Sequence, residues 1–392
     1  MSFFKKISII ELTNYAYYFI IKLIEIGGNF HLKKIGILTF SYSENSGSVL
    51  QTYALSKAIE EHCDATTEII NYQKIGSLKP KFGVNVFFGP ISSWDKKKIK
   101  QWLHRLRVFP KYIKKHWAFV KSNLTLSSRQ AIKREKLVSL NNKYDYFVVG
   151  SDQVWNFYSP KVDETYFLDF VKDDTKKISY AASFGNATYN NSNIEIVQKL
   201  LSQFSHVSLR EKQGVELYQN LTGKNATFVL DPTLLHSSST WDKLAINPKE
   251  KNYILVYLLE PNQIVQENVR RLQEEQNLKV IRLWRSRMVD ENGKDIRVIS
   301  PQEWLGYIKN ASIIFTNSFH GICFSINYHK CFYAAYRKNT DDSRLVNLLN
   351  VFNLSNRILV DNSAKIDDIE VNEIELEKMR SASFDYLKLA LK

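Results

Sequence analysis

A histidine in the segment TNSFHGICFSI is the strongest candidate for chemistry in this sequence. His320 stands between an apolar run typical of a buried strand and a helical pattern, which predicts a position at a helix amino terminus. An imidazole placed there beside a bound anion can act as a general acid. Ser318 and Gly321 flank it, and Gly321 would let a ligand approach the backbone. A core or capping histidine is the alternative, and a Ser-His-Asp triad lacks a nucleophile-elbow pattern.

Two further clusters could hold an anion. Arg210 follows the short strand pattern VSL, and a guanidinium there can grip a phosphate or carboxylate with two parallel hydrogen bonds. A surface pair of Arg210 with Glu211 is equally consistent with the spacing. Asn45 and Gly47 lie where a loop meets a helix amino terminus, whose free N–H groups attract anions. Asn45 could instead serve only as the helix cap.

A polar cluster directly after the apolar run YDYFVV suits a sugar. Asp152 and Gln153 can bind hydroxyl groups, and the indole of Trp155 offers a flat platform for a sugar ring. These three residues are therefore the predicted acceptor site, with Asp152 as a candidate base. A turn capped by the aspartate is the alternative interpretation.

One absence narrows the chemistry of the histidine region. From Trp304 through Thr340 the sequence has no Asp or Glu, whereas it has several basic or imidazole residues. Among them are Lys309, His320, Lys330, Arg337 and Lys338. A sugar-nucleotide transferase usually needs a carboxylate here for the ribose hydroxyls, so the region favours a small anion instead.

Two successive series of strand and helix patterns would position these clusters. The first begins at Lys34 with KIGILTF and continues through ATTEI, YDYFVV and KKISYA. The second begins near His206 and includes NYILVYLL, LKVIRLW and ASIIF. Strands that alternate with helices predict two α/β domains with parallel sheets. Ligands of such folds bind at the carboxyl ends of the strands, so the cleft between the domains is the predicted site.

The length of 392 residues suits two such domains, and a hydrophobic content of 44% excludes a disordered chain. We predict an amphipathic N-terminal extension at 1–33, a first domain at 34–203, a second domain at 204–375 and a terminal helix at 376–392. A basic helical insertion at about 76–140 interrupts the first domain.

The insertion carries most of the formal net charge of +14. Between Trp94 and Lys136 there are 14 Lys and Arg residues against two acidic ones, interleaved with aromatic residues at helical spacing. A solvated basic face over an aromatic core explains this pattern. The alternatives are contacts with anionic lipid, polyanionic glycan or nucleic acid, in that order, and no nucleic-acid-binding signature accompanies the charge.

The N-terminal extension is amphipathic but short. Its longest uncharged run, Leu12 to Ile21, is about half of what a membrane-spanning helix needs. An interfacial helix is one interpretation, and packing on this protein or on a subunit is the other.

Several site classes find no support in the sequence. The three cysteines are too scattered for a disulfide framework, and no Cys and His pair has zinc-ligand spacing. The dinucleotide and Walker glycine motifs are absent. We therefore predict no metal site and a reducing compartment.

In order along the chain, the segments GILTFSYSENSGSVLQTYAL, FVVGSDQVWN, ISYAASFG, VSLRE, VLDPTLL and TNSFHGICFSI resemble the polysaccharide pyruvyl transferase family. The resemblance spans roughly residues 34–357. It implies two facing Rossmann-like domains, similar to the B-type glycosyltransferase architecture. It also implies transfer of the pyruvyl group of phosphoenolpyruvate to two sugar hydroxyls, with a ketal and phosphate as products and no separate cofactor.

The resemblance also implies roles for particular residues. His320 would be the acid, and Arg210 would clamp the donor together with the Asn45, Gly47, Ser318 and Gly321 region. Some family members have an arginine where this chain has Ser318. Arg344, in a later segment, could replace it, although a surface position on a helix is equally compatible.

The leading hypothesis is a cytoplasmic pyruvyl transferase that acts on a lipid-linked or nucleotide-linked glycan precursor of a surface polysaccharide or capsule in a bacterium. Its basic insertion and N-terminal extension would suit peripheral contact with the inner face of an anionic membrane. No nucleic-acid partner is expected. The alternatives are a sugar-nucleotide-dependent glycosyltransferase of the same architecture and a non-catalytic glycan or polyanion binder.

Overall fold

A computed structural model describes residues 32–41, 45–72, 110–128 except 112, 132–156, 162–185, 193–283, 296–337 and 342–392. The predictions for the N-terminal extension and for most of the basic insertion lie outside these residues. Among the described helices, none combines the length and the apolar composition needed to cross a membrane.

The first sheet contains four parallel strands in the order β2-β1-β3-β4. Its central strands are apolar and almost fully buried, as expected for a parallel sheet covered on both faces. The strands are β1 (Lys33–Leu38), β2 (Ala65–Ile69), β3 (Tyr146–Val149) and β4 (Lys177–Ser179).

Two very short strands continue this sheet beyond β4. The strands β5 (Ser208–Leu209) and β6 (Thr227–Phe228) pair in parallel. The Ser179 N–H donates to the carbonyl of His206 at 3.0 Å, which joins the β5 segment to β4. The domain boundary predicted between residues 203 and 204 therefore falls between hydrogen-bonded neighbours of one layer.

Helices cover the first sheet and its extension, and they begin where the strands end. They are α1 (Ser46–His62), α2 (Ile194–Leu201), α3 (Lys212–Thr222), α4 (Pro232–Leu235) and α5 (Ser238–Asp242), with short 3-10 turns at Arg134–Asn142, Glu164–Phe167 and Asp174–Lys176. Residues 113–123 are also helical. This stretch buries Phe119 and Val120 and exposes Lys114 and Lys121, so here the predicted insertion is an amphipathic helix with a basic outer face.

The second sheet contains five parallel strands in the order β11-β10-β7-β8-β9. Every residue of its central strand is buried. The strands are β7 (Tyr253–Tyr257), β8 (Lys279–Leu283), β9 (Ile296–Arg297), β10 (Ile313–Thr316) and β11 (Phe332–Ala334). Its helices are α6 (Gln263–Gln276), α7 (Pro301–Lys309), α8 (Phe319–Asn327) and α9 (Ser343–Val351), and a 3-10 turn lies at Ser355–Arg357.

The terminal helix α10 (Glu373–Ala390) returns to the first sheet. The Tyr386 hydroxyl donates to the carbonyl of Ser179 at 2.8 Å, and the Leu230 N–H donates to Ser383 Oγ at 3.1 Å. The last helix of the chain thus ties the second unit back to the first.

Each sheet has one place where the strand order reverses direction. In the first sheet this switch point lies between β1 and β3, and in the second it lies between β7 and β10. Crevices at the carboxyl ends of such strands are the usual ligand sites of doubly wound folds. The α/β fold with two facing Rossmann-like units, as in B-type glycosyltransferases, is thereby confirmed.

Candidate active site

A cavity of about 290 Å³ lies where the two switch points face each other. Its lining includes seven residues predicted from the sequence: Asn45, Asp152, Gln153, Arg210, Ser318, His320 and Arg344. Nine further residues complete the lining: Phe40, Ser48, Leu259, Glu260, Asn317, Phe319, Arg337, Asp342 and Leu345. The cavity thus draws on both units.

His320 is the second residue of α8, and the first turn of this helix fixes its position. Ser318 caps the helix, since its Oγ accepts a hydrogen bond from the Gly321 N–H at 3.3 Å. The imidazole is only 3% exposed, and its Nε2 has no hydrogen-bond partner among the described residues. A ring nitrogen without a hydrogen-bond partner, on a residue that lines the cavity, is suited to exchange a proton with a ligand.

Gly47 makes room for this imidazole. A Cβ atom there would lie 2.4 Å from the His320 Cβ and 2.6 Å from its Nδ1. The first turns of α1 and α8 can therefore approach this closely only with glycine at position 47. Gly47 does not line the cavity, so its role is to make room for His320 and not to contact a ligand.

Asn45 and Gly321 also have clear local roles. The side-chain oxygen of Asn45 accepts from the Gly47 N–H at 3.1 Å and faces the Tyr257 hydroxyl at 3.4 Å. It thus caps α1 and links that helix to the second unit. A Cβ atom at Gly321 would lie 2.5 Å from Thr316 Oγ1, so this glycine permits packing against β10 and does not line the cavity.

Asp231 is a central residue that the sequence analysis missed. It is buried at the start of α4, where its Oδ1 accepts from the Thr233 N–H at 3.0 Å. Its Oδ2 accepts from Arg210 Nη1 at 2.7 Å and lies 3.7 Å from His320 Nε2. Burial raises the pKa of this carboxyl, but the nearby His320 and Arg210 outweigh that effect and hold it well below its usual range. A carboxylate therefore faces both the Arg210 guanidinium and the His320 imidazole.

Arg210 reaches the cavity wall, but its N–H groups are already engaged. Its Nε donates to Glu211 at 3.1 Å, and its Nη2 lies 3.4 Å from Asp152 Oδ1. The guanidinium also lies 4.3 Å from the centre of the Phe319 ring. With Asp231 on Nη1, three carboxylates surround this arginine. A direct grip on the donor remains a prediction, and the contacts themselves describe a buried ion cluster.

Arg344 differs from Arg210 because part of its guanidinium is not engaged by the described part of the protein. It is buried in the first turn of α9, where burial and the nearby Arg210 lower its pKa to about 10. The Gln153 amide oxygen, turned toward it, accepts from Nη2 at 2.6 Å. Its Nε has no hydrogen-bond partner among the described residues. The surface interpretation of Arg344 is therefore wrong, and its guanidinium can still donate to an anion.

Asp152 lines the cavity in a left-handed backbone conformation, with φ of 74°. Its Oδ2 accepts from the Ser48 hydroxyl at 2.6 Å, and its Oδ1 accepts from the Gln153 N–H at 2.9 Å. Burial raises its pKa, but Arg210 and His320 outweigh this and leave the pKa below the usual value. A carboxylate with engaged oxygens and a lowered pKa is a weak base, so the predicted base role gains no support.

Trp155 does not line the cavity, and its predicted role as a sugar platform is wrong. The indole is 0% exposed, stacks on Phe167 and packs against Phe184 and Phe204. Its Nε1 donates to the carbonyl of Tyr166 at 3.0 Å. The turn after β3 directs this side chain into the core of the first unit, where burial of the large apolar surface stabilises the fold.

The remaining polar wall comes from the second unit. Arg337 pairs with Asp342 through Nε at 2.8 Å, so neither charge is isolated. Asn317 holds the chain that follows β7, because its amide accepts from the Leu259 N–H at 2.5 Å and donates to the Glu260 carbonyl at 2.9 Å. This fixes Glu260 at the cavity wall beside the segment that carries His320.

The fold and the site together define a two-unit α/β protein whose cleft brings His320, Arg344 and helix amino termini to a small cavity. Such an arrangement suits a compact anion. The model of the polysaccharide pyruvyl transferase family matches residues 45–339. The chain belongs to this family, and the resemblance drawn from its motifs is confirmed.

Solved structures with a similar fold are distant in sequence. A UDP-GlcNAc 2-epimerase from Methanocaldococcus jannaschii is 12% identical, with 89% of this chain and 98% of that chain covered and a TM-score of 0.45. A UDP-glucosyltransferase from Polygonum tinctorium is 10% identical, with 93% and 94% covered and a TM-score of 0.34. Likeness at this level carries no information on substrate. No curated protein matches the chain.

Proposed function

We propose that this protein transfers the pyruvyl group of phosphoenolpyruvate to two hydroxyls of a sugar in a surface polysaccharide precursor. The observation that carries the proposal is His320, whose buried Nε2 has no hydrogen-bond partner among the described residues and which lines a cavity together with Arg210 and Arg344. Membership of the family supports pyruvyl transfer in general. The dependence on phosphoenolpyruvate and the identity of the acceptor are part of the proposal.

The donor chemistry requires a proton source and cationic partners. His320 gives a proton to the methylene carbon C3 of phosphoenolpyruvate, which makes C2 electrophilic. Arg344, with its free Nε, holds one anionic group of the donor. Arg210 contributes positive charge from within its ion cluster.

The acceptor completes the reaction in two steps, an addition to C2 and then a displacement of phosphate. The first hydroxyl forms a bond to C2 and loses its proton, which restores the proton that His320 gave. The second hydroxyl then bonds to C2 as the bond between C2 and the phosphate oxygen breaks. Its proton leaves with the phosphate, so the products are the pyruvate ketal and inorganic phosphate.

We place the reaction in the cytoplasm, at lipid-linked or nucleotide-linked acceptors near the inner membrane face. The net charge of +14 and the amphipathic composition of residues 1–33 support this placement. Deletion of residues 1–33 is expected to reduce binding to vesicles that contain anionic lipid. Unchanged vesicle binding after the deletion would contradict the placement.

Phosphate release from phosphoenolpyruvate tests the activity. The purified full chain is assayed with a panel of lipid-linked and nucleotide-linked sugars, in parallel with Arg344→Gln and Lys243→Gln, which removes a surface charge as a control. We expect release only with an acceptor, a higher KM for phosphoenolpyruvate in Arg344→Gln, and no change in the control. Absence of both release and phosphoenolpyruvate binding would overturn the proposal, and release of a nucleoside diphosphate would indicate glycosyl transfer instead.

A further inference from the structure

Three acidic residues among the described ones line the cavity, and Glu260 is the one that the fold leaves unpaired. The other two are engaged: Asp342 pairs with Arg337, and Asp152 accepts from the Ser48 hydroxyl and from the Gln153 N–H. Among the described residues, the Glu260 carboxylate receives no hydrogen bond and no ion pair, although cationic groups line the same cavity. A carboxylate kept free at a binding surface is available to a ligand that donates hydrogen bonds.

Its backbone position is fixed at the switch point of the second sheet. Glu260 follows β7, and the Asn317 amide holds its carbonyl at 2.9 Å. Asn317 lies three residues before His320, at the end of the adjacent strand β10. The Glu260 backbone is therefore anchored on the same wall as His320, so its side chain starts close to where a second substrate would meet the activated donor.

The charge of Glu260 suits the acceptor and not the donor. Phosphoenolpyruvate is strongly anionic, so a free carboxylate would repel it, whereas sugar hydroxyls donate hydrogen bonds that a carboxylate accepts. Asp152 is a poor candidate for the same task because its oxygens are engaged and its pKa is lowered. Trp155 is unavailable because it is buried.

We propose that Glu260 binds the hydroxyl pair of a neutral sugar acceptor, in the acceptor half of a cavity whose other half holds the donor. This inference rests on the proposed pyruvyl transfer and assigns a residue to its acceptor side. It also predicts selectivity, since an acceptor with a carboxylate next to the hydroxyl pair would be repelled.

The test compares Glu260→Gln with the exposed control Glu274→Gln in the full chain. The acceptors are the active member of the sugar panel and its deoxy analogues, each lacking one of the two hydroxyls. We expect Glu260→Gln to raise the acceptor KM by about tenfold or more, the size of a lost charge-assisted hydrogen bond, with the KM for phosphoenolpyruvate within twofold. Removing the contacted hydroxyl from the acceptor should raise the acceptor KM of the wild type strongly and that of Glu260→Gln only slightly.

The outcomes separate this inference from the proposed function. An active wild type with an unchanged acceptor KM in Glu260→Gln would overturn the role of Glu260 alone. A uridine diphosphate titration whose binding is lost in Glu260→Gln would also overturn it, because the carboxylate would then serve a ribose. Failure of the wild type to bind phosphoenolpyruvate would overturn the proposed function and this inference with it. Glu260→Asp, which keeps the charge, and thermal melting of each variant exclude misfolding as the cause.

Discussion

The segments that follow β3 and β10 both bring predicted residues to the same cavity, but by different means. After β10 the chain enters a helix within two residues, so Ser318 caps it and His320 lies in its first turn. After β3 the chain turns through Gly150, with φ of 114°, and Asp152, with φ of 74°. A regular helix start fixes side-chain directions that a pattern can anticipate, whereas an irregular turn can send neighbouring side chains to opposite sides.

Because of this difference, the two segments contribute differently to activity and to stability. His320, in the segment after β10, keeps a ring nitrogen without a hydrogen-bond partner among the described residues, which is available for chemistry. The residues after β3 join hydrogen bonds and apolar packing that hold the first unit together. Substitutions should therefore reduce activity most after β10 and reduce stability most after β3.

The largest effect is expected for His320→Asn. Loss of a general acid typically lowers the rate by about 10²- to 10⁴-fold, so kcat for acceptor-dependent phosphate release should fall by that amount. Calorimetric binding of phosphoenolpyruvate should persist. The matched control is His329→Asn, since His329 is half exposed and asparagine tolerates its left-handed φ of 50°. Full activity in His320→Asn would refute the role of the segment after β10.

Asp231→Asn should affect both activity and stability. Removing this charge leaves Arg210 buried with one partner fewer, so unfolding in urea at pH 7 should be easier by about 3 kcal/mol, and kcat should fall at least tenfold. Because the folded-state pKa of Asp231 is lowered, its stabilisation is complete above the unfolded value of about 3.9 and is lost as the pH falls below it. The difference from wild type should therefore shrink from pH 4 to pH 3. A constant difference over that range would contradict the assigned charge state.

Gly47→Ala should disturb His320 without removing it. The added Cβ would lie within 2.6 Å of three atoms of the imidazole-bearing side chain, so the ring or the helix must shift. We expect about a tenfold lower kcat and a loss of about 1–3 kcal/mol from overpacking. Gly214→Ala is the control, because its Cβ would meet its nearest atom at 3.6 Å. Equal behaviour of the two variants would argue against the tight contact.

Trp155→Phe should have the smallest effect on activity. The variant loses the hydrogen bond to the Tyr166 carbonyl and part of the aromatic packing, at a cost of about 1–3 kcal/mol in the free energy of unfolding. The KM values for donor and acceptor should stay within twofold. A tenfold rise in the acceptor KM would restore the sugar-platform interpretation that the burial of Trp155 excludes.

Much of the fold could be predicted from the sequence. Continuous apolar runs such as β7 mark strands buried on both faces, and the helices between them imply parallel pairing. The predicted boundary after residue 203 falls inside the first layer. The sequence pattern does not reveal this, because β5 and β6 have only two residues each. Strands this short leave little pattern, and their hydrogen bonds to β4 depend on the folded sheet.

The site could be predicted only where local structure fixes it. The Asp-Pro pair at Asp231 reads as a helix cap, which it is, but its second oxygen faces Arg210 only in the folded protein. Glu260 follows a strand without any motif, and its significance comes from the pairing of the other acids around the cavity. The fate of Trp155 depended on the left-handed turn at Asp152, which no periodicity reveals.

The most direct test of pyruvyl transfer is the reaction run in D₂O with phosphoenolpyruvate and the active acceptor, followed by mass spectrometry of the product. Protonation of C3 in the active site predicts an acceptor that gains a pyruvyl ketal with one deuterium in its methyl group, and His320→Asn should form little of it. An acceptor that instead gains an enolpyruvyl group without deuterium, or a sugar, would contradict the proposed chemistry.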